Sequence, residues 1–236
     1  LILIQKIPGK INKNLIDIFK DIIVPPLCVI CGKIGPELIC RNCISKIKEI
    51  GDKICKYCGR PLSRISPDDK GCNFCRNEDF NFYKHRSFTI YKGEIKRIIR
   101  KYKYNRIYDL KEVIAVFLKQ TYIRNYEYEK IDYIDTVPGK HMEILCRSLS
   151  KLIKIPFADN ILRVKKVIKQ QGLDFMQRKT NIKEAFKVKN CLMSSGKNLL
   201  LVDDVWTTGS TLGEIAGVLK RAGADRIYLL TLARGL

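Results

Sequence analysis

Residues 199–212 read Leu-Leu-Leu-Val-Asp-Asp-Val-Trp-Thr-Thr-Gly-Ser-Thr-Leu, and the architecture follows from them. Four apolar residues after the turn Ser195-Gly196, with no polar alternation, predict a strand buried on both faces of a parallel sheet. Asp203 and Asp204 are then expected at the carboxyl end of that strand, where open parallel sheets bind ligands. Thr207-Thr208-Gly209-Ser210-Thr211 opens a helix over Ser210–Arg221, with Leu212, Ile215, Ala216 and Leu219 at helical spacing and Gly223 just past its end as a cap. Arg226–Leu232 reads as the next strand. Strand, helix and strand within about thirty-five residues make a βαβ unit with a right-handed crossover.

Upstream, Ile131–Val137 reads as a strand, and Met142–Ile153 as a helix with Ile144, Leu145, Leu149, Leu152 and Ile153 on one side. The stretch 80–130 is rich in Lys, Arg and Tyr and looks partly helical. At the amino end, Leu15, Ile16, Ile18, Phe19, Ile22 and Ile23 recur at the spacing of a short amphipathic helix that packs on the body. The apolar stretches there are broken by Lys6, Lys10, Lys13 and Asp17, so no targeting signal is expected. No run of 18 apolar residues predicts a transmembrane span, and the expected location is cytoplasmic.

The phosphate chemistry is local. Gly209 lets backbone approach a ligand closely. The free N–H groups of the first helical turn, with hydroxyls from Thr207, Thr208, Ser210 and Thr211, make a cradle for a phosphate. Two carboxylates beside such a cradle suit a sugar phosphate, because the acids accept hydrogen bonds from vicinal hydroxyls. A Walker-B strand also ends an apolar run in Asp, but no G-x-x-x-x-G-K-[ST] exists here. Phosphoacceptor domains carry acidic pairs without a hydroxyl-rich glycine loop directly after the strand.

Eight of the ten cysteines form four C-x-x-C pairs: Cys28/Cys31, Cys40/Cys43, Cys55/Cys58 and Cys72/Cys75. Each turn offers two thiolates to a tetrahedral ion, so four turns make two structural zinc sites. Disulfides need an oxidising compartment, four successive pairs without a surrounding βαβ do not suit redox dithiols, and a four-thiolate shell more often holds zinc than iron. Sequential pairing is simplest, but a cross-braced pairing uses the same residues. Closed shells leave no position for catalysis. Cys146 and Cys191 stand alone and read as core packing.

The charge is a separate signal. Forty-five Lys+Arg against 24 Asp+Glu give +21, which excludes an ordinary neutral metabolic domain and points to a polyanion. The apolar share of 46% excludes a disordered basic tail. Between Lys92 and Arg106 seven basic residues, including Lys96, Arg97, Arg100, Lys101 and Lys103, meet one acid, Glu94. Ile95, Ile98, Ile99 and Tyr102 recur at i, i+3, i+4, i+7, so the helix has an apolar side and a basic side. Backbone phosphates would meet the Lys/Arg side, and unpaired bases would stack on exposed members of Tyr91, Tyr104 and Tyr108. A solvated helix in a lysine-rich chain is the competing reading.

At LLLVDDVWTTGSTL the chain resembles type I phosphoribosyltransferases. The resemblance extends to the ComF family of competence-associated proteins, through the four C-x-x-C pairs, Tyr91-Lys92-Gly93 with IKRIIRKYKY, Thr136-Val137-Pro138, Gln171-Gly172-Leu173 with Arg178 and Asn181, and Ala185-Phe186. It spans most of the chain from about Cys28 to Leu232. It implies an α/β fold: a Rossmann-like, parallel-sheet phosphoribosyltransferase domain over 81–236, a small cysteine-rich double zinc module over 28–80, and an amphipathic helix over 1–27. It also implies phosphoribosyl pyrophosphate with magnesium as ligand, Asp203 and Asp204 on the ribose hydroxyls, and Thr207–Thr211 on the 5′-phosphate. Single-stranded DNA and DNA-uptake proteins are the implied partners.

One departure leaves turnover open. The family usually carries a longer basic loop with R-G-F-N-Q after Val-Pro, whereas here Val137-Pro138-Gly139-Lys140-His141 runs directly into the helix. His141 reads as an exposed loop histidine, and no catalytic residue is assigned. A salvage or biosynthetic transferase and a non-catalytic sugar-phosphate sensor are the alternatives.

Overall fold

The computed structural model describes residues 26–63, 71–76, 80–165 and 184–235. The expected amino-terminal helix, and Gln171, Gly172, Leu173, Arg178 and Asn181, lie outside the described residues. Contacts divide the chain into two compact units between Lys46 and Ile47, so the second group of four cysteines shares a unit with the sheet.

In the first unit Leu27 bridges Ile34 across a turn in which Gly32 N–H donates to Cys28 O (2.9 Å), and helix α1 (Arg41–Ser45) follows Cys40. The second unit repeats this turn: Ile54 bridges Pro61, and Gly59 N–H donates to Cys55 O (2.9 Å). Gly32 and Gly59 have φ of +73° and +64°, the left-handed backbone that closes such a knuckle.

The core of the second unit is a four-stranded parallel sheet. Its strands are β1 (Lys84–Ile90), β2 (Tyr133–Thr136), β5 (Leu199–Trp206) and β6 (Ile227–Arg234), in the order β1-β6-β5-β2. Helix α2 (Gly93–Lys103) follows β1, α3 (Leu110–Tyr126) leads to β2, and α4 (Lys140–Ile153) follows β2. A two-stranded antiparallel pair, β3 (Ile161–Arg163) with β4 (Phe186–Val188), and a short helix α5 (Cys191–Ser194) come before β5. Helix α6 (Ser210–Arg221) links β5 to β6, as the βαβ pattern predicts.

Leu199, Leu200, Leu201 and Val202 are wholly buried, as a strand covered on both faces requires. The strand does not stop at the acids. It runs on to Trp206, with Asp203 in register with Thr231 and Trp206 with Arg234. β1 shows no apolar run because three of its buried residues, His85, Ser87 and Thr89, are polar and pair internally: Ser87 Oγ lies 2.7 Å from Thr231 Oγ1, and Thr89 Oγ1 donates to Lys48 O (2.6 Å). Cys146 is buried in the core, but Cys191 is exposed, because α5 is a single turn that buries only Ser194. No helix among the described residues is long and apolar enough to cross a membrane.

Candidate ligand site and metal centres

All four sheet strands are parallel, so their carboxyl ends share one edge. From that edge β5 passes through Thr207–Gly209 into α6. Gly209 has φ +77°, and a Cβ on it would stand 2.3 Å from Cζ2 of Trp206, so the loop closes onto the indole only with glycine. The first helical bond is Gly213 N–H to Gly209 O (2.7 Å); the amides of Ser210, Thr211 and Leu212 precede it, unclaimed by the helix ladder. Thr208 Oγ1 and Ser210 Oγ lie 2.8 Å apart, and Thr207 is exposed. The five loop residues thus gather hydroxyls and amides around one helix N-terminus.

The acidic pair lies inside the strand rather than beyond it. Asp203 Oδ1 accepts from the Asp204 N–H (2.8 Å). Burial, then the neighbouring charge of Asp204, pushes the Asp203 carboxyl up to about 7. Asp204 moves the other way. Burial alone would raise it, but the His141 ring and the Lys103 ammonium outweigh burial and hold the carboxyl below the usual range. Lys103 Nζ lies 2.5 Å from Asp204 Oδ2. Burial opposes the charge on Lys103, yet the two aspartates keep its ammonium above the ordinary lysine range.

Lys103 reaches Asp204 because α2 crosses the carboxyl edge. Just before the helix, Tyr91 N–H donates to Arg234 O (2.7 Å) at the end of β6; near its end, Tyr102 OH donates to His141 O (2.5 Å) at the start of α4. The apolar side Ile95, Ile98, Ile99 and Tyr102 is buried as the spacing predicts, and Lys96, Arg97 and Arg100 are exposed. Lys101 is partly covered. Lys103, grouped by sequence with the outward basic residues, instead turns into the acidic pair. Tyr104 is 63% exposed.

His141 is not an exposed loop histidine. Its ring packs edge-on to Tyr102 with centroids 6.2 Å apart, its side chain is 21% exposed, and Nε2 stands 3.6 Å from Asp204 Oδ2. That is too long for a hydrogen bond, and Nε2 has no hydrogen-bond partner among the described residues. The histidine is held because the short loop after Pro138 starts α4 at Lys140, directly beside β5.

The cysteines gather as two tetrads, Cys28/Cys31/Cys40/Cys43 and Cys55/Cys58/Cys72/Cys75, with all sulfurs of a tetrad within 4.8 Å of one another. Sequential pairing is therefore the arrangement adopted. Sulfur separations of 3.7 and 3.9 Å in the first tetrad, and 3.6 to 3.7 Å in the second, match the edge of about 3.8 Å that a tetrahedron with 2.3 Å zinc–sulfur bonds requires. The amides of Cys40 and Cys72 donate to the Sγ of Cys28 (3.3 Å) and Cys55 (3.4 Å), the same bond in each repeat. Closed four-thiolate shells of this kind are structural zinc sites.

The chain matches a double zinc ribbon domain over residues 19–77 and a phosphoribosyl transferase domain over residues 123–236. It is 28% identical over 230 residues to Competence protein F of Haemophilus influenzae, covering 88% of this chain and 96% of that protein. It is 26% identical over 230 residues to the DNA utilization protein YhgH of Escherichia coli K12, covering 90% and 99%. Competence protein ComFC of Streptococcus pneumoniae is 23% identical over 197 residues, covering 83% and 87%. With a zinc ribbon ahead of a phosphoribosyltransferase domain on one chain, and such relatives aligned along nearly their whole length, the chain is similar throughout to the competence protein F, ComFC and YhgH proteins.

Proposed function

We propose that this protein handles single-stranded DNA during uptake and binds phosphoribosyl pyrophosphate with magnesium at the carboxyl edge of its sheet. The observation that carries the ligand is Asp203-Asp204 leading straight into the Thr207–Thr211 cradle. Carboxylates accept from ribose hydroxyls, and the hydroxyl- and amide-rich helix start accepts a 5′-phosphate. Asp204 Oδ2 is engaged by Lys103, which leaves Oδ1 for a sugar hydroxyl and sets an ammonium beside the acidic pair. Magnesium would supply charge neutralisation there, beside Asp203 and Asp204. The names of the relatives support the uptake role, and the basic outer side of α2 beside the same edge supports a DNA contact. Eight reduced thiols in zinc shells suit the cytoplasm.

Calorimetry with phosphoribosyl pyrophosphate and magnesium tests the pocket: wild type gives heat, the Asp203→Asn/Asp204→Asn protein gives none, and silence from wild type removes the assignment. A gel shift of single-stranded DNA by wild type, weakened in Lys96→Ala/Arg97→Ala/Arg100→Ala, tests the helix; equal binding by that variant removes it. Lys103 is left intact there because it belongs to the pocket. A second reading, a working transferase, is favoured by His141, whose free Nε2 beside Asp204 offers a proton donor or acceptor. Pyrophosphate release in the presence of a nucleobase, lost in His141→Ala, separates that reading from ligand sensing.

A further inference from the structure

Two side chains of the sheet converge on the carbonyl oxygen of Cys58, in the second cysteine tetrad. Arg234 Nη1 donates to it, and His85 Nδ1 lies 3.0 Å from it. Both side chains are buried, Arg234 to 1% exposure and His85 to none. Arg234 forms no ion pair with a carboxylate among the described residues, although a guanidinium removed from water needs a countercharge. Its electrostatic neighbours include Cys58 and Cys72. Four thiolates around a divalent zinc carry a net charge of −2, so the tetrad itself supplies what Arg234 lacks.

From these two residues the contacts lead to the phosphate loop. The His85 ring stacks on Trp206 with centroids 4.3 Å apart and planes at 21°. Arg234 is the register partner of Trp206 on β5, and Trp206 O accepts from Gly235 N–H (2.8 Å). The Trp206 indole lies against Gly209, the residue that turns the loop into α6. The knuckle sits this close because residue 59 is glycine: a Cβ there would stand 2.7 Å from His85 O.

We propose that Arg234 and His85 are positioning residues that relay the state of the second zinc site, through Trp206, to the Thr207–Thr211 loop. Zinc in Cys55/Cys58/Cys72/Cys75 fixes the Cys58 carbonyl, which fixes Arg234 and His85, which fix the indole that Gly209 packs against. Loss of the ion releases this chain of contacts and lowers affinity for a sugar phosphate. The affinity consequence rests on the phosphoribosyl reading above; the relay to Trp206 does not.

Trp206 is the only tryptophan in the chain, so its emission reports the relay directly, without ligand. In the full chain carrying Cys28→Ser/Cys31→Ser, a single tetrad remains. Zinc withdrawn from it by a chelator is expected to shift Trp206 emission in step with metal release, while far-ultraviolet circular dichroism keeps the sheet and helix signal. In otherwise wild-type protein, Arg234→Met is expected to alter Trp206 emission with both zinc ions still bound, and to weaken binding of phosphoribosyl pyrophosphate. Arg234→Lys, which keeps the charge, is expected to restore most of both. Unchanged Trp206 emission on zinc loss or in Arg234→Met overturns the relay. Emission that changes only together with collapse of the circular dichroism signal also overturns it, since zinc is then merely a fold staple. If wild type binds no phosphoribosyl pyrophosphate while Trp206 still follows the metal, the relay stands and the phosphoribosyl reading falls.

Discussion

Replacing Asp203 by Asn sets stability against ligand binding at one atom. In the folded protein burial, and then the charge of Asp204, pushes the Asp203 carboxyl up from 3.8 to about 7. Between those values the folded state keeps a proton that the unfolded chain gives up. The unfolded state therefore binds fewer protons, and stability falls as pH rises through the interval, being fully retained only below it. The penalty from ionising this group amounts to about 2 kcal/mol at pH ~5.5 and about 4 kcal/mol at pH ~8, so about 2 kcal/mol develops across a range in which zinc thiolates survive. Asn cannot ionise, and its Oδ1 still accepts the 2.8 Å bond from Asp204 N–H. Wild type minus Asp203→Asn therefore isolates the contribution of this one carboxyl. Asp135, a second buried carboxyl pushed up to about 7 by burial, is common to both proteins and cancels. Urea unfolding of both proteins across this range should show the variant gaining about 2 kcal/mol on wild type as pH rises, while calorimetry shows its sugar-phosphate binding reduced. A stability difference that stays constant with pH, or moves in the opposite direction, refutes the buried-pair account of Asp203.

Lys103→Met should cost about 1–3 kcal/mol in urea unfolding, as the loss of a short charged hydrogen bond to a largely buried carboxylate, and unchanged stability would show that the pair contributes nothing. Gly209→Ala should destabilise by about 1–3 kcal/mol and shift Trp206 emission, because its Cβ meets the indole; a wild-type melting curve contradicts the loop geometry. Metal analysis should give two zinc per chain. A chelator should remove the first ion faster, because Cys31 is exposed and Cys40 partly so while all four cysteines of the second tetrad are buried, and Cys28→Ser/Cys31→Ser should abolish the fast phase.

The parts of this fold legible in sequence were those with one dominant physical signal. Leu199–Val202 is apolar because both faces are covered, Ser210–Arg221 shows its buried side every third or fourth residue, and the cysteine spacing names its own chemistry. β1 was not legible, since Lys84–Ile90 fills buried positions with His85, Ser87 and Thr89 and satisfies them against Thr231, Cys58 and Lys48, partners distant in sequence. Hydrophobic periodicity has no means of marking a strand whose inward face is polar and paired.

The site divides along the same line. Its proposed phosphate loop was readable because a cradle of backbone amides and hydroxyls is local, written in five consecutive residues. Lys103 and His141 were not, because their roles depend on where α2 and α4 cross the sheet edge. On a helix with so many cations, Lys103 carries no local mark that distinguishes it from Lys96 or Arg100. A hint lay in position: it follows Tyr102, on the border of the apolar side, where a long side chain runs along buried surface and places its ammonium in a partly covered site. The outward cations of α2 face solvent, whereas Lys103, from the last turn of the same helix, bonds to Asp204. Positive charge of one helix therefore points in two directions, to the acidic pair and outward to solvent. Charge-removing substitutions on α2 thus fall into two classes: those at 96, 97 and 100 should change the salt dependence of DNA binding, while loss of Lys103 should alter the titration of Asp204.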